Sequence, residues 1–359
     1  MNHKSTRVAL AAALALGAGT ACAQASSSSV TLFGLIDTNV SHLRSSGNGN
    51  LNIVGSDGNL SSRIGFRGTE DLGGGLKAGF WMEAAINPDV GTGGSTNANN
   101  QPSGASNSGG LTFGRRSTVS LMGESWGELR LGRDYVPGFW NLSAFSPFGT
   151  NGIGSSSFLF YPVQSAARIT NVRASNSVGY ILPKMGGLYG QAMYAFGENS
   201  ASGATRNDGR VMGARLGYKS GPFDVAVGIT KTEISALGDL RQTNVGGSYD
   251  FGVAKVMLLV NENKVGTTST RSALVGARVP LGQGHVRVAY SRVNTKGVAN
   301  DAQHLALGYV YDLSKRTAVY GHIARIDNKG NGVNYNLGNA VKTAGGNSDG
   351  VEFGVRHTF

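Results

Sequence analysis

The last eleven residues, DGVEFGVRHTF from Asp349 to Phe359, set the strongest limit on what this chain can fold into. Val351, Phe353, Val355 and Phe359 are apolar, and Glu352, Gly354, Arg356 and Thr358 stand between them. A strand sends successive side chains to opposite faces, so this segment has one apolar and one polar face. His357 is the one break in the apolar row, and near a membrane interface a ring with one polar end is tolerated. An amphipathic final strand suits a soluble sandwich as well as a membrane barrel. The choice therefore rests on how the pattern recurs.

The same alternation runs through residues 30–39, 63–69, 76–86, 111–122, 128–133 and 175–182, and through nine further segments up to 318–326. With the terminal strand this makes about sixteen, an even number as bacterial barrels require. Connections alternate in length. Residues 73–75, 124–127, 186–187, 220–222, 282–284 and 314–315 read as hairpin turns, whereas 42–59, 87–110, 134–173, 197–209 and 327–348 are long. A barrel in a membrane has this asymmetry, with turns on one rim and loops on the other. A sandwich gives no reason for it. A mean hydropathy of −0.12 fits barrel strands, whose alternation averages to neutral. Beyond the amino terminus no stretch approaches the roughly 20 apolar residues of a spanning helix.

Lys4 and Arg7, an apolar run from 8 to 19, and Ala21-Cys22-Ala23 as a small-x-small site read as a secretory signal peptide, residues 1–23. Residues 24–359 then form one transmembrane barrel domain without cysteine, and the protein crosses an oxidising space without disulfides. The full chain carries 32 Lys and Arg against 21 Asp and Glu; loss of Lys4 and Arg7 still leaves a basic surplus. The basic residues lie singly along strands, with no block or helical stripe, so the reading excludes nucleic acid and favours an anionic solute or an acidic membrane surface.

Arginine on the lipid face at mid-bilayer costs roughly 2–4 kcal/mol. Arg63, Arg67, Arg130, Arg215, Arg278 and Arg287 should therefore face the lumen or sit near a rim. About sixteen strands enclose a lumen too wide for side chains to fill. Its interior is polar and wet, which makes it a pore.

The chain resembles the general porins of Gram-negative outer membranes, most closely the trimeric porins of Burkholderia, Bordetella and Comamonas relatives. The likeness rests on SSVTLFGLIDTNV at 28–40, SRIGFRGTEDLGGGLKAGF at 62–80, LTFGRRSTVSLMG at 111–123, GELRLGRDY at 127–135 and the terminal EFGVRHTF. It implies a sixteen-stranded antiparallel barrel, a homotrimer, contact with outer-membrane lipid and lipopolysaccharide, and a third external loop folded inward. It also implies that Phe359 is a signal read by the barrel assembly machinery. Residues 134–173 hold the place of the inward loop; after Asp134 they contain no Asp or Glu, and Ser146-Pro147-Phe148-Gly149 stands where relatives have Pro-Glu-Phe-Gly. By motif, Arg63 and Arg67, Arg115 or Arg116, and Arg168 or Arg173 match the family's constriction arginines, with Glu83 and Asp37 as candidates for the same wall. Arginine suits that role because it keeps its charge and presents a planar fork to carboxylate or phosphate.

The expected function is passive diffusion of small hydrophilic solutes with a preference for anions. A channel selective for phosphate or organic acids on the same barrel, or a surface-displayed β adhesin, are the alternatives. The five histidines after the signal peptide have no metal-ligand spacing and no G-x-S-x-G elbow occurs. No catalytic residue, metal or cofactor is expected.

Overall fold

A computed structural model describes residues 29–106, 109–200 and 203–359; the expected signal peptide lies outside them. Among the described residues sixteen strands form the wall of a closed barrel. They are β1 (Ser29–Ser45), β2 (Arg63–Gly73), β3 (Leu76–Asn87), β4 (Arg116–Gly123), β5 (Gly127–Tyr135), β6 (Arg173–Ile181), β7 (Leu188–Ala195) and β8 (Val211–Ser220). There follow β9 (Phe223–Thr232), β10 (Leu240–Asp250), β11 (Lys255–Val265), β12 (Thr268–Leu281), β13 (Gly284–Thr295), β14 (Ala302–Asp312), β15 (Thr317–Asn328) and β16 (Asn347–Thr358). Neighbours pair antiparallel, and β16 returns to β1 from Leu35↔Thr358 to Ser45↔Ser348. Closure leaves no row of unpaired backbone groups, which lipid could not satisfy. Among the described residues no helix is long and apolar enough to cross a membrane; the wall crosses with strands.

Two boundaries differ from the sequence reading. Most of the expected loop 42–59 is strand, because β1 continues to Ser45 and Gly49–Ser56 pairs with Thr38–Ser45 as an upper extension of β2. Gly49, Asn50 and Asn52 make this piece look like a loop, and a strand largely exposed on both faces needs no apolar row. The fourth strand begins at Arg116 rather than Leu111. Thr112 instead donates to Gly94 O at 2.8 Å, tying 111–115 to the second long connection.

The faces follow the alternation. On β9 Val227 and Ile229 are exposed and Ala226 and Thr230 buried; on β14 Leu305 and Leu307 are exposed and His304 and Ala306 buried; on β16 Val351, Phe353 and Val355 are exposed and Glu352 buried. Apolar side chains thus point outward, as lipid requires. Near the turn rim Trp126, Tyr249, Phe251, Tyr309 and Tyr311 are set on the outside, in the manner of an interfacial aromatic belt.

The third long connection, residues 136–172, carries two short helices, α1 (Phe139–Ala144) and α2 (Ser157–Phe160). It lies on the polar inner face of the wall. Asn141 Nδ2 donates to Asn244 Oδ1 on β10 at 2.8 Å, Asn263 Nδ2 on β11 donates to Phe160 O at 2.7 Å, and Ser272 Oγ on β12 donates to Leu159 O at 2.6 Å. Arg278 Nε donates to Pro147 O at 2.8 Å, His304 Nε2 lies 2.9 Å from Ile153 O, and Ile153 N donates to Glu352 Oε1 at 3.2 Å. At its far end Gly152 N donates to Asp57 O at 3.0 Å and Ser61 Oγ to Asn151 Oδ1 at 2.7 Å. The loop's Leu142, Phe145, Phe148, Leu159 and Phe160 are buried against Ala226, Leu259, Leu274, Ala289 and Ala306 of that wall. Where the loop comes closest, the inner face carries glycine. A Cβ added at Gly246 would lie 2.2 Å from the Phe145 ring, and one at Gly276 would lie 2.6 Å from Pro147 Cγ. The apolar content of the loop, a liability in water, is thereby covered.

Candidate pore constriction

The loop's contacts run along the inner face from Ala174 on β6 round to Glu352 on β16. The sequence places its arginines on and beside β2 to β6. Arg63 and Arg67 stand on one face of β2, with Phe66 exposed on the other. The register sets Gly65 opposite Glu83 and Arg67 opposite Trp81, and Glu83 opposite Arg116.

Three guanidinium groups converge around one carboxylate and one phenol. Arg115 Nε donates to Glu83 Oε1 at 2.5 Å, Arg63 Nη1 lies 3.9 Å from the same oxygen, and Arg115 Nη2 donates to Tyr135 Oη at 2.9 Å. Arg173, the first residue of β6, donates to the same Tyr135 oxygen at 2.9 Å and sits 4.4 Å from the centroid of its ring. Trp81 Nε1 donates to Glu83 Oε2 at 3.0 Å and so holds the carboxylate from the other side. In contact, one negative charge is shared by three positive ones, and Asp57 acts on Arg63 and Arg115 through space. The loop adds no carboxylate, and burial pushes the Tyr161 phenol above its ordinary value, so it adds no phenolate either.

A second group lies beside this ring, around Trp81. Arg116 Cζ is 4.6 Å and Arg67 Cζ 5.1 Å from the Trp81 ring centroid. Arg130 bonds Glu128 at 2.9 Å and Asp134 at 2.5 Å, and Arg116 stands 3.8 Å from Asp134 and 3.9 Å from Glu128. Here charges are nearly balanced.

The expected set of residues is therefore sorted by the geometry. Arg63, Arg115, Arg173 and Glu83 come together, and Arg67 and Arg116 join the neighbouring group. Arg168 is exposed on the loop, with Nε donating to its own segment's Pro162 O at 2.5 Å, and does not join the ring. Asp37 is fully buried and is no lumen-lining acid. It accepts from Tyr320 Oη and from the backbone N–H groups of Asn59 at 3.0 Å and Leu60 at 2.7 Å, so it fixes the 57–62 segment that interrupts the second wall strand. Sequence reasoning missed Tyr135 and Trp81. Tyr135 ends the motif GRDY at the point where the chain leaves the wall for the loop, and that position was its signal. Arg215 and Arg278, expected to face the lumen, do so by bonding the loop, Arg215 through Asn141 Oδ1 at 2.7 Å. Among the described residues no group of three or more His, Cys, Asp or Glu side chains could hold a metal ion.

This architecture has close counterparts. The model of the Gram-negative porin family matches residues 9–331. Outer membrane porin protein 32 of Delftia acidovorans is 38% identical over 374 residues, which cover 99% of this chain and all of that one. An outer membrane porin protein of Bordetella pertussis is 29% identical over 412 residues, 97% of this chain and 98% of the other. Among solved structures, the anion-selective porin from Comamonas acidovorans superposes with a TM-score of 0.80 at 37% identity, covering 92% of this chain and all of that one. The trimer form of OmpT from Vibrio cholerae matches at TM-score 0.65 and 16% identity, a likeness of fold alone. The closed barrel, its outward apolar faces and these matches lead to one conclusion: the chain belongs to the Gram-negative porin family and is a multi-pass β-barrel of the outer membrane.

Proposed function

We propose that the chain forms a diffusion channel for small hydrophilic solutes that prefers anions, and that Arg63, Arg115 and Arg173 supply the preference where the third loop narrows the lumen. The observation that carries this reading is the imbalance at that level: three arginines against Glu83 in contact and Asp57 nearby, and a facing loop without a single acid. In a narrow opening with low-dielectric walls, a surplus of one sign concentrates the opposite ion and depletes its own. The Comamonas protein that this chain resembles is described as anion-selective, which accords with the reading.

The remaining partners belong to the same proposal. The chain assembles as a homotrimer, sits among outer-membrane lipid and lipopolysaccharide, and is delivered by the barrel assembly machinery with Phe359 as a recognition residue. A channel selective for phosphate or an organic acid is the second reading, favoured by the planar forks of three arginines gathered within reach of one solute.

The deciding experiment is the reversal potential of the purified protein in a planar bilayer under a KCl gradient, with an Arg63→Ala, Arg115→Ala variant alongside. Anion preference that falls in the variant supports the proposal, and cation preference in the native protein overturns it. Saturable block of the chloride current by one anion among many would favour the selective reading.

A further inference from the structure

Beside the arginine ring, on the inner face of β1 to β5 toward the turn rim, the wall holds a recess of about 400 Å³ whose lining includes Arg67, Trp81, Arg116, Met122, Arg130 and Glu128, the last held by Arg130 and Ser120. Its size falls within the roughly 300–1,000 Å³ of small-molecule sites.

Two features set it apart from the ring. The first is Arg67. Each of Arg63, Arg115, Arg116, Arg130 and Arg173 has a hydrogen bond or ion pair on this wall, whereas Arg67 is exposed and makes neither with any described residue. Its contacts are with rings: Cζ lies 5.2 Å from the Phe33 centroid and 5.1 Å from that of Trp81. Five N–H donors are thus held on a planar group that the protein itself leaves without an acceptor. The second is the alternation of rings and cations. Phe33 and Trp81 are 4.9 Å apart at 58°, Arg67 stands by both, and Arg116 stands 4.6 Å from Trp81. Met122 adds a polarizable flank, of the kind that makes favourable contacts with aromatic rings, and Gly79 keeps the wall beside it low.

We propose that this recess is a transit site for carboxylates that carry a planar aromatic ring. The carboxylate takes the unused donors of Arg67, and the ring extends the Phe33, Arg67, Trp81, Arg116 series. A small inorganic anion gains the first contact and not the second. An aliphatic carboxylate of the same bulk fills the volume without the ring's stacking and cation–π terms, which together give the aromatic solute an advantage of about fivefold. The inference rests on the reading of the lumen as an open anion path.

The test uses the native full-length channel in a planar bilayer carrying chloride current, titrated with benzoate and, separately, with cyclohexanecarboxylate. The expected result is saturable block by both, at a benzoate concentration about fivefold lower. In Trp81→Leu the two half-blocking concentrations should converge, and in Arg67→Gln both should rise about tenfold, as loss of a charge-assisted contact predicts. Equal block by the two acids in the native channel, or a benzoate preference that survives Trp81→Leu, overturns the inference while leaving the anion channel intact. A native protein that carries no chloride current overturns both.

Discussion

Arg115 and Arg173 are joined through one atom: each donates to the hydroxyl oxygen of Tyr135 at 2.9 Å. Two like charges are thereby held together by a neutral acceptor. Tyr135→Phe removes the acceptor and keeps both charges. The anion preference should survive, because a lumen field depends on net charge and not on one hydrogen bond. The fold should lose about 1–3 kcal/mol, the cost of leaving buried charged donors without a partner. Reversal potential and the midpoint of denaturant unfolding in detergent read the two effects separately. A Tyr135→Phe channel that loses its anion preference would show that arginine placement, and not charge alone, sets selectivity.

The two ambiguous pairs of arginines now separate. Arg173 touches the Tyr135 ring and hydroxyl, whereas Arg168 points to solvent and to Pro162. Arg173→Ala should lower the chloride-to-potassium permeability ratio, and Arg168→Ala should leave it close to native, since an exposed charge is screened within about 10 Å at 0.1 M salt. The same contrast at Arg115 and Arg116 should favour Arg115, because Arg116 is already balanced by Asp134 and Glu128. Equal effects within either pair would contradict this assignment.

Much of this was legible in the sequence, for a physical reason. Lipid inverts the ordinary burial rule, so the alternation of Val351, Phe353 and Val355 with Glu352 registers directly as outside and inside. The strands above the apolar band were less visible. In Gly49–Ser56 no buried face constrains the residues, and Asn and Gly fill positions that an apolar row would otherwise mark. Arg63, Arg115 and Glu83 could be found because they lie in motifs along strands. Asp37 was misread because an acid on a polar strand face looks the same in sequence whether it meets pore water or the amides of Asn59 and Leu60. Tyr135 escaped because a tyrosine at the end of a strand carries no charge to draw notice.

The seat of the third loop supplies another test. Phe145 packs against Gly246, where an added Cβ would lie 2.2 Å from the ring. Gly246→Val should cost roughly 1–3 kcal/mol by overpacking and raise the population of detached loop by about 5–150-fold. Single-channel records should then show a higher and noisier conductance level that is rare in the native protein. The barrel itself should remain heat-modifiable on detergent gels, because the strand ladder from β9 to β11 does not depend on the loop. Unchanged conductance would mean that the loop does not narrow the lumen.

Ionic strength should distinguish a field from a filter. On the proposed reading Arg63, Arg115 and Arg173 act at a distance on any small ion, and the Debye length falls from about 10 Å at 0.1 M to about 3 Å at 1 M. The permeability ratio should therefore decline steadily as KCl is raised across that range at a fixed concentration ratio. A ratio independent of salt would point to tight coordination of the permeating anion and favour the selective reading.

Phe359 closes the barrel seam. Its N–H donates to Gly34 O at 3.0 Å, Gly34 N donates to Phe359 O at 3.2 Å, and a Cβ on Gly34 would fall 2.4 Å from the Phe359 ring and 2.6 Å from Arg63 O. If Phe359 served only as a recognition residue, Phe359→Ala would lower yield in cells and leave refolding from urea into detergent unchanged, since no assembly factor is present there. The packing on Gly34 predicts that both fall. Gly34→Ala should reproduce the refolding defect with Phe359 intact, because the added methyl meets backbone at Arg63 O and cannot be relieved by moving the ring alone. Refolding yield, scored by the heat-modifiable band of the two variants against native protein, reads this directly. Native-like refolding of both would confine Phe359 to recognition, and a defect in both would make the seam itself the reason an aromatic residue stands at this position.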